Sequence, residues 1–237
     1  MLTGSHDQEQ HLLHRAAAQR AHNQQNLYRA CAGITTFRAR DPDPHAVDSG
    51  AILGLRIEVV SRAKFLRPYY VLLNRPFPDH RSHLRVHRHT VPPCVPLSGL
   101  AARYLPPPGK PQELARFAKA LRREVVRYHH RMGVIADLRK AAGLGRSSKS
   151  QAGDEGEEDD VDQQRGKLVS ITAADAEAKQ ITIEWAGGKT GRLVMGDDGD
   201  IVNMVVVGES GRDHDAVREL LGGAERVEDI AKRLTSG

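Results

Sequence analysis

Apolar residues recur along this chain with two periods, and the change from one to the other happens twice. Between Ile52 and Val60, Leu53, Leu55, Ile57 and Val59 alternate with Gly54, Arg56 and Glu58, the period of a strand with one face in a core and the other toward water. Ile34 to Arg40, Tyr69 to Leu73 and Leu84 to Thr90 read as companion strands, separated by Asp41-Pro42-Asp43-Pro44 and opened by Pro68, residues that favour turns. Pro92, Pro93 and Pro96 then stop the sheet, because proline donates no backbone hydrogen bond. After them Leu97, Leu100, Ala101, Tyr104 and Leu105 fall on one face of a short helix. From Pro111, well placed in a first helical turn, steps of three and four run through Leu114, Phe117, Ala118, Leu121, Val125, Tyr128, Met132, Ile135 and Leu138 to Gly143. This spacing predicts a helix over 111–142, ~48 Å long, packed across the preceding sheet.

The second half repeats the outline. Lys167 to Thr172, Ile181 to Trp185, Gly191 to Met195 and Ile201 to Val207 read as strands, with Ile181, Ile183 and Trp185 on one side. Gly187-Gly188 and Asp198-Gly199 supply turns. Helices are predicted over 213–221 and 227–234. The fold class is therefore α+β, a four-stranded antiparallel meander packed on helices, twice. Ahead of it, 5–32 predicts a helix with a thin apolar stripe (Leu12, Leu13, Ala16, Ala17, Ala21), closed by Gly33 in the left-handed conformation. It reads equally as a partner helix or as a frayed terminal one. Between the halves, 147–164 holds seven acidic residues and almost nothing apolar, so a disordered linker is expected, with Ser147, Ser148 and Ser150 accessible. The boundaries that follow are an arm (1–33), a first module (34–146), the acidic linker (147–164) and a second module (165–237).

Charge sharpens this picture. The net charge of +5 hides 25 Lys and Arg against 10 Asp and Glu in residues 1–150, and 10 against 20 thereafter. A basic half suits a polyanion such as nucleic acid, while opposite-signed surfaces also suit subunit contacts. Arg116, Lys119, Arg122, Arg123, Arg127 and Arg131 are expected on the solvated face of the long helix. Two cysteines, Cys31 and Cys94, make no disulfide framework and suit a reducing compartment. No run reaches the ~18 apolar residues of a membrane span.

Candidate chemistry is sparse. His83, Arg85, His87 and His89 share a strand face with Cys94 following; histidines at i and i+2 can chelate zinc, but no second ligand pair is suitably spaced and Arg85 is an unfavourable neighbour. Asp197-Asp198-Gly199-Asp200 lacks the spaced glutamate of a calcium loop and reads as a turn. No phosphate loop, nucleophile elbow or paired carboxylates occur, so no enzyme, metal or cofactor is expected.

The order of pieces resembles the centromere protein O family, inner-kinetochore subunits of the COMA complex in fungi. The resemblance rests on Ala32-Gly33-Ile34-Thr35-Thr36-Phe37, Leu53-Gly54-Leu55-Arg56, Pro68-Tyr69-Tyr70-Val71-Leu72-Leu73 and His87-Arg88-His89-Thr90-Val91-Pro92, then Tyr104-Leu105-Pro106, Phe117-Ala118 and Ile183-Glu184-Trp185. It implies a tandem RWD fold, in which His87, His89, Thr90, Pro92 and Pro96 are structural signature residues and Val91 stands where RWD modules often carry tyrosine. It implies a non-enzymatic scaffold in the nucleus, at the centromere and kinetochore. Its implied partners are a centromere protein P-like tandem-RWD subunit and the CENP-Q- and CENP-U-like coiled-coil subunits of the complex. Leu114, Leu121, Val125, Tyr128, Met132 and Ile135 on the long helix are the expected partner interface. The rival readings are a basic nucleic-acid-binding module and a ubiquitin-conjugation-related factor. The latter needs a reactive cysteine, and Cys94, between Pro93 and Val95, reads as packed.

Overall fold

The computed structural model describes residues 3–144 and 168–236; the acidic segment 147–164, with Ser147, Ser148 and Ser150, lies outside the described residues. Two compact units result, Met1–Arg123 and Glu124–Gly237.

The first unit opens with helix α1 (Thr3–Ala32), which Gly33 ends at φ +62°, as its place after the helix predicts. Strands β1 (Ile34–Arg40), β2 (Ala51–Ile57), β5 (Tyr69–Asn74) and β6 (Arg85–His89) form an antiparallel sheet in the order β1-β2-β5-β6. The β1–β2 connection is built by its aspartates: the backbone N–H groups of Asp43 and His45 donate to the side chains of Asp41 and Asp43 at 3.2 and 2.9 Å. Between β2 and β5 lies an excursion absent from the alternation pattern, the hairpin β3 (Val60–Ser61) and β4 (Lys64–Phe65). The strand expected to run to Val60 ends at Ile57, because Val60 turns away to pair with Phe65.

Leu55, Ile57, Val71 and Leu73 are almost wholly buried and share one sheet face by register. Helices α2 (Leu97–Tyr104) and α3 (Leu114–Ala141) contribute Leu97, Phe117, Ala118, Ala120 and Leu121 to the buried set of this unit. On the opposite face the ring of Phe37 lies across its cross-strand neighbour Gly54, where a Cβ would collide with it. Tyr70 meets Phe37 edge-on at 6.0 Å and 84°, and the Arg56 guanidinium stands 6.0 Å above the Tyr70 ring. Glycine here makes room for an aromatic ring, which covers the backbone the glycine leaves bare.

The second unit is a five-stranded meander: β7 (Leu168–Ala173), β8 (Gln180–Trp185), β9 (Thr190–Met195), β10 (Ile201–Gly208) and β11 (Gly211–Arg212) in sequential order. The fifth strand is a two-residue edge pairing, Val207 with Arg212 and Gly208 with Gly211, too short to leave a hydrophobic period. The same aromatic-over-glycine device recurs, since a Cβ on Gly191 would stand 2.8 Å from the Trp185 ring. Helix α4 (His214–Leu221) is capped by Asp213, whose Oδ1 accepts from the Ala216 N–H at 2.9 Å. Helix α5 (Val227–Ser236) follows. The core joins Ile171, Ile181, Ile183, Leu193, Met195, Met204 and Val206 of the sheet to Val227, Ile230 and Ala231 of α5 and to Val134, Ile135 and Leu138 of α3. Helix α3 thus belongs to both units. The expectation that it packs on the preceding sheet describes its first turns, while its later turns complete the second core.

Placing a methyl group under the Phe37 ring must displace it. Gly54→Ala is expected to cost about 1–3 kcal/mol, and adding Phe37→Leu should recover more than half of that loss. Urea unfolding of the two variants measures both effects.

Candidate functional site

The histidine-bearing strand does not converge on a point. Since carbonyl and carboxylate oxygens only accept, the ring nitrogens facing them must donate. His83 Nε2 donates to the Lys110 carbonyl at 3.1 Å, His87 Nε2 to Asp41 Oδ2 at 2.9 Å, and His89 Nδ1 to the Val91 carbonyl at 3.2 Å. His83, just ahead of β6, reaches the 106–113 segment, His87 holds the β1–β2 connection to β6, and His89 bonds the chain that continues from β6 itself, and no cluster of three metal-binding side chains exists among the described residues. Thr90 closes the β5–β6 ladder: its backbone N–H donates to the Tyr70 carbonyl and its Oγ1 accepts from the Tyr70 N–H, at 2.9 and 2.8 Å. Pro92 then opens a turn sealed by the Val95 N–H on its carbonyl at 3.1 Å, and Pro96 caps α2. Val91, standing in the tyrosine place, is buried along with Val95 and Leu97. Cys94 is half-buried in this turn and Cys31 is exposed.

Sequence reasoning missed Gln112. Its Oε1 accepts from the Leu84 N–H at 2.8 Å while its Nε2 donates to the carbonyls of Leu84 and Pro106 at 2.9 and 2.8 Å. The side-chain amide stands in for a neighbouring strand beyond the start of β6, and a lone glutamine in a proline-rich stretch carries no signal of it.

The Asp197–Asp200 segment is a turn, and cations of the same unit occupy it. Arg127 forks onto Asp198, Nε to Oδ1 and Nη2 to Oδ2, both at 2.9 Å. Lys179 Nζ lies 3.1 Å from Asp197 Oδ1, and Arg226 donates to the Asp198 carbonyl at 2.6 Å. Arg131, only 4% exposed, donates from Nε to the Glu177 carbonyl at 2.9 Å and from Nη1 to the Asp197 carbonyl at 3.3 Å. Arg139 reaches the Ile171 carbonyl in the same manner. The six basic residues expected on one solvated face of α3 therefore do not form one: Arg116, Lys119 and Arg123 are exposed and Arg122 is half-buried, whereas Arg127 and Arg131 tie the helix to two turns of the second sheet. The reason is that guanidinium carries several donors in a fixed fork, able to satisfy turn carbonyls that the sheet leaves unpaired.

The lysine beside Asp197 holds its carboxyl below the usual value, with Arg127 and Arg131 adding to the effect. Asp213 is lowered by the Ala216 N–H and by Lys189, and Asp41 by the Asp43 N–H and by His87. Burial pushes His129 down.

Of the six residues expected at a partner interface, Leu121, Val125 and Ile135 are buried within the chain itself, Leu114 and Tyr128 are half-buried, and Met132 is 41% exposed. Several more exposed apolar side chains lie elsewhere. Leu12, Leu13, Leu27 and Tyr28 on α1 are 61–66% exposed. No helix of the described residues is long and apolar enough to cross a membrane.

Two sheets, each a meander backed by helices, a long helix between them in the chain and a proline turn after β6 are the parts that the centromere protein resemblance implies. A family model described as the Cenp-O kinetochore centromere component matches residues 34–234. The chain belongs to the Cenp-O family. Membership makes it a kinetochore component located at the centromere, in a family of structural components and not a known enzyme family. A comparison with the curated proteins finds no match.

Two expectations follow from the charged ties. Arg131→Met is expected to cost about 3 kcal/mol, since it strips donors from two carbonyls, and Arg131→Lys should recover less than half, lacking the fork. Arg127→Ala, with a more exposed partner, should cost about 1 kcal/mol. Acid should lower the stability of the protein over two pH ranges. His129, depressed in the fold, is stabilising while neutral, so stability falls as pH drops below its ordinary 6.5. The depressed aspartates contribute above their ordinary 3.8, a contribution lost as pH falls through their lower folded values. Stability measured by urea unfolding against pH should fall less below 6.5 in His129→Gln and less in the lower range in Asp197→Asn.

Proposed function

We propose that this Cenp-O family chain is a non-enzymatic scaffold of the inner kinetochore, working through buried protein surface. It heterodimerises with a centromere protein P-like tandem-RWD subunit, and the pair joins the CENP-Q- and CENP-U-like coiled-coil subunits to link centromeric chromatin to the kinetochore. In this reading the functional modules are 34–146 and 165–237, with 1–33 as an arm and 147–164 as an acidic connector. The family match over 34–234 carries the proposal. The surface supports it: α1 keeps Leu12, Leu13, Leu27 and Tyr28 in solvent, apolar area that a lone chain gains nothing by exposing. The polar clusters support it as well, since each serves a turn, a ladder end or a helix.

The interface on α3 then falls to the residues that keep surface, Leu114, Tyr128 and above all Met132. Co-expression with a tandem-RWD chain should give a 1:1 complex burying about 2,000 Å² or more. Met132→Glu should leave the chain folded and weaken that complex at least tenfold, whereas Val125→Glu, placing a charge at a fully buried position, should unfold it. Sedimentation and circular dichroism separate the two outcomes. A stable monomer at tens of micromolar that ignores every tandem-RWD chain would refute the reading.

A further inference from the structure

The middle of the first unit is strongly basic. Residues 51–90 hold eight Arg and Lys against Glu58 and Asp79 alone. Glu58 is 4% exposed and paired to Arg56 at 2.6 Å, so it offers little repulsion to an approaching anion. The β3–β4 hairpin carries Arg62 and Lys64, with Arg67 just beyond, all three exposed.

The turn of this hairpin is unusual. Arg62 and Ala63 both have positive φ, 51° and 58°, where Asn-Gly is the ordinary choice and a side chain is disfavoured. A two-stranded ribbon of this size is at best marginal alone. It is held by the Leu66 N–H on the Val59 carbonyl at 2.9 Å and by the cross-strand pair of Val60 and Phe65, themselves half in solvent at 51% and 53%. An arginine is thus kept at the tip at the expense of turn stability.

We propose that this hairpin contacts the phosphate backbone of duplex DNA. Exposed cations on a two-stranded ribbon suit phosphates. Unpaired bases would need several open aromatic faces in succession, whereas Phe37 lies on Gly54, Tyr70 stands between the Phe37 edge and the Arg56 guanidinium, and Phe65, half in solvent and paired across the ribbon with Val60, is the single ring of the hairpin. The contact is therefore sequence-independent, and it stands whether or not the chain pairs with a second subunit.

Fluorescence anisotropy with a labelled mixed-sequence duplex of about 30 base pairs tests it on the full chain across 50 to 200 mM salt. The variant Arg62→Asn/Lys64→Gln/Arg67→Gln should keep the melting temperature, lose more than tenfold in affinity at about 50 mM salt and flatten the salt slope by about 2.7, near 0.9 for each phosphate released. The control Arg192→Gln/Arg212→Gln/Lys232→Gln, removing equal charge from exposed sites in the second unit, should change neither. Equal losses in both variants, or no duplex binding at about 50 mM salt, overturn the proposal. Tighter binding to oligo-dT overturns the duplex assignment, and tighter binding to poly-glutamate assigns the hairpin to an acidic protein instead.

Discussion

One helix has to finish two cores. A four- or five-stranded meander folded alone leaves one apolar face bare, and its stability comes from covering that face. Helix α3 places Phe117 and Leu121 among the buried residues of the first unit and Val134, Ile135 and Leu138 in the core of the second. Its sequence must therefore meet two packing requirements in 28 residues. This leaves few of its large apolar positions with surface, namely Met132 and parts of Leu114, Val126 and Tyr128.

The later turns of α3 also depend on charge. Burying Arg131 is unfavourable unless its donors are used, and it is matched by the carbonyls of two turns while Arg127 forks onto Asp198. These contacts set helix rotation and height against the second sheet with a directionality that apolar packing lacks. They also place guanidinium and ammonium groups on the carboxylates of Asp197 and Asp198.

The first unit solves a related problem at its proline turn. The sheet needs an end at β6, and it is finished by Thr90 on Tyr70, by the Gln112 amide on Leu84, and by His83 and His87, which bond two other segments. The histidine-rich strand is thus a structural seam. The surfaces proposed to carry the function of this kinetochore component are an exposed terminal helix, a small apolar stripe and a basic hairpin.

The periods of the chain determined the element order, the two meanders, the proline stop and the left-handed Gly33, because alternation, helical spacing and turn residues are local properties. Family membership was legible in the same stretches, chiefly around His87–Pro92. Three things were decided only by tertiary structure. Which apolar positions of α3 face inward depends on where two sheets lie, so Leu121, Val125 and Ile135 could not be told from Met132 by spacing. Which arginines are solvated depends on turn carbonyls 46 and 66 residues away in the chain. The β3–β4 hairpin, with Arg-Ala at its turn, is invisible to turn chemistry because its residues adopt a conformation they disfavour by themselves. In each case the deciding partner is distant in sequence, and a local pattern carries no record of it.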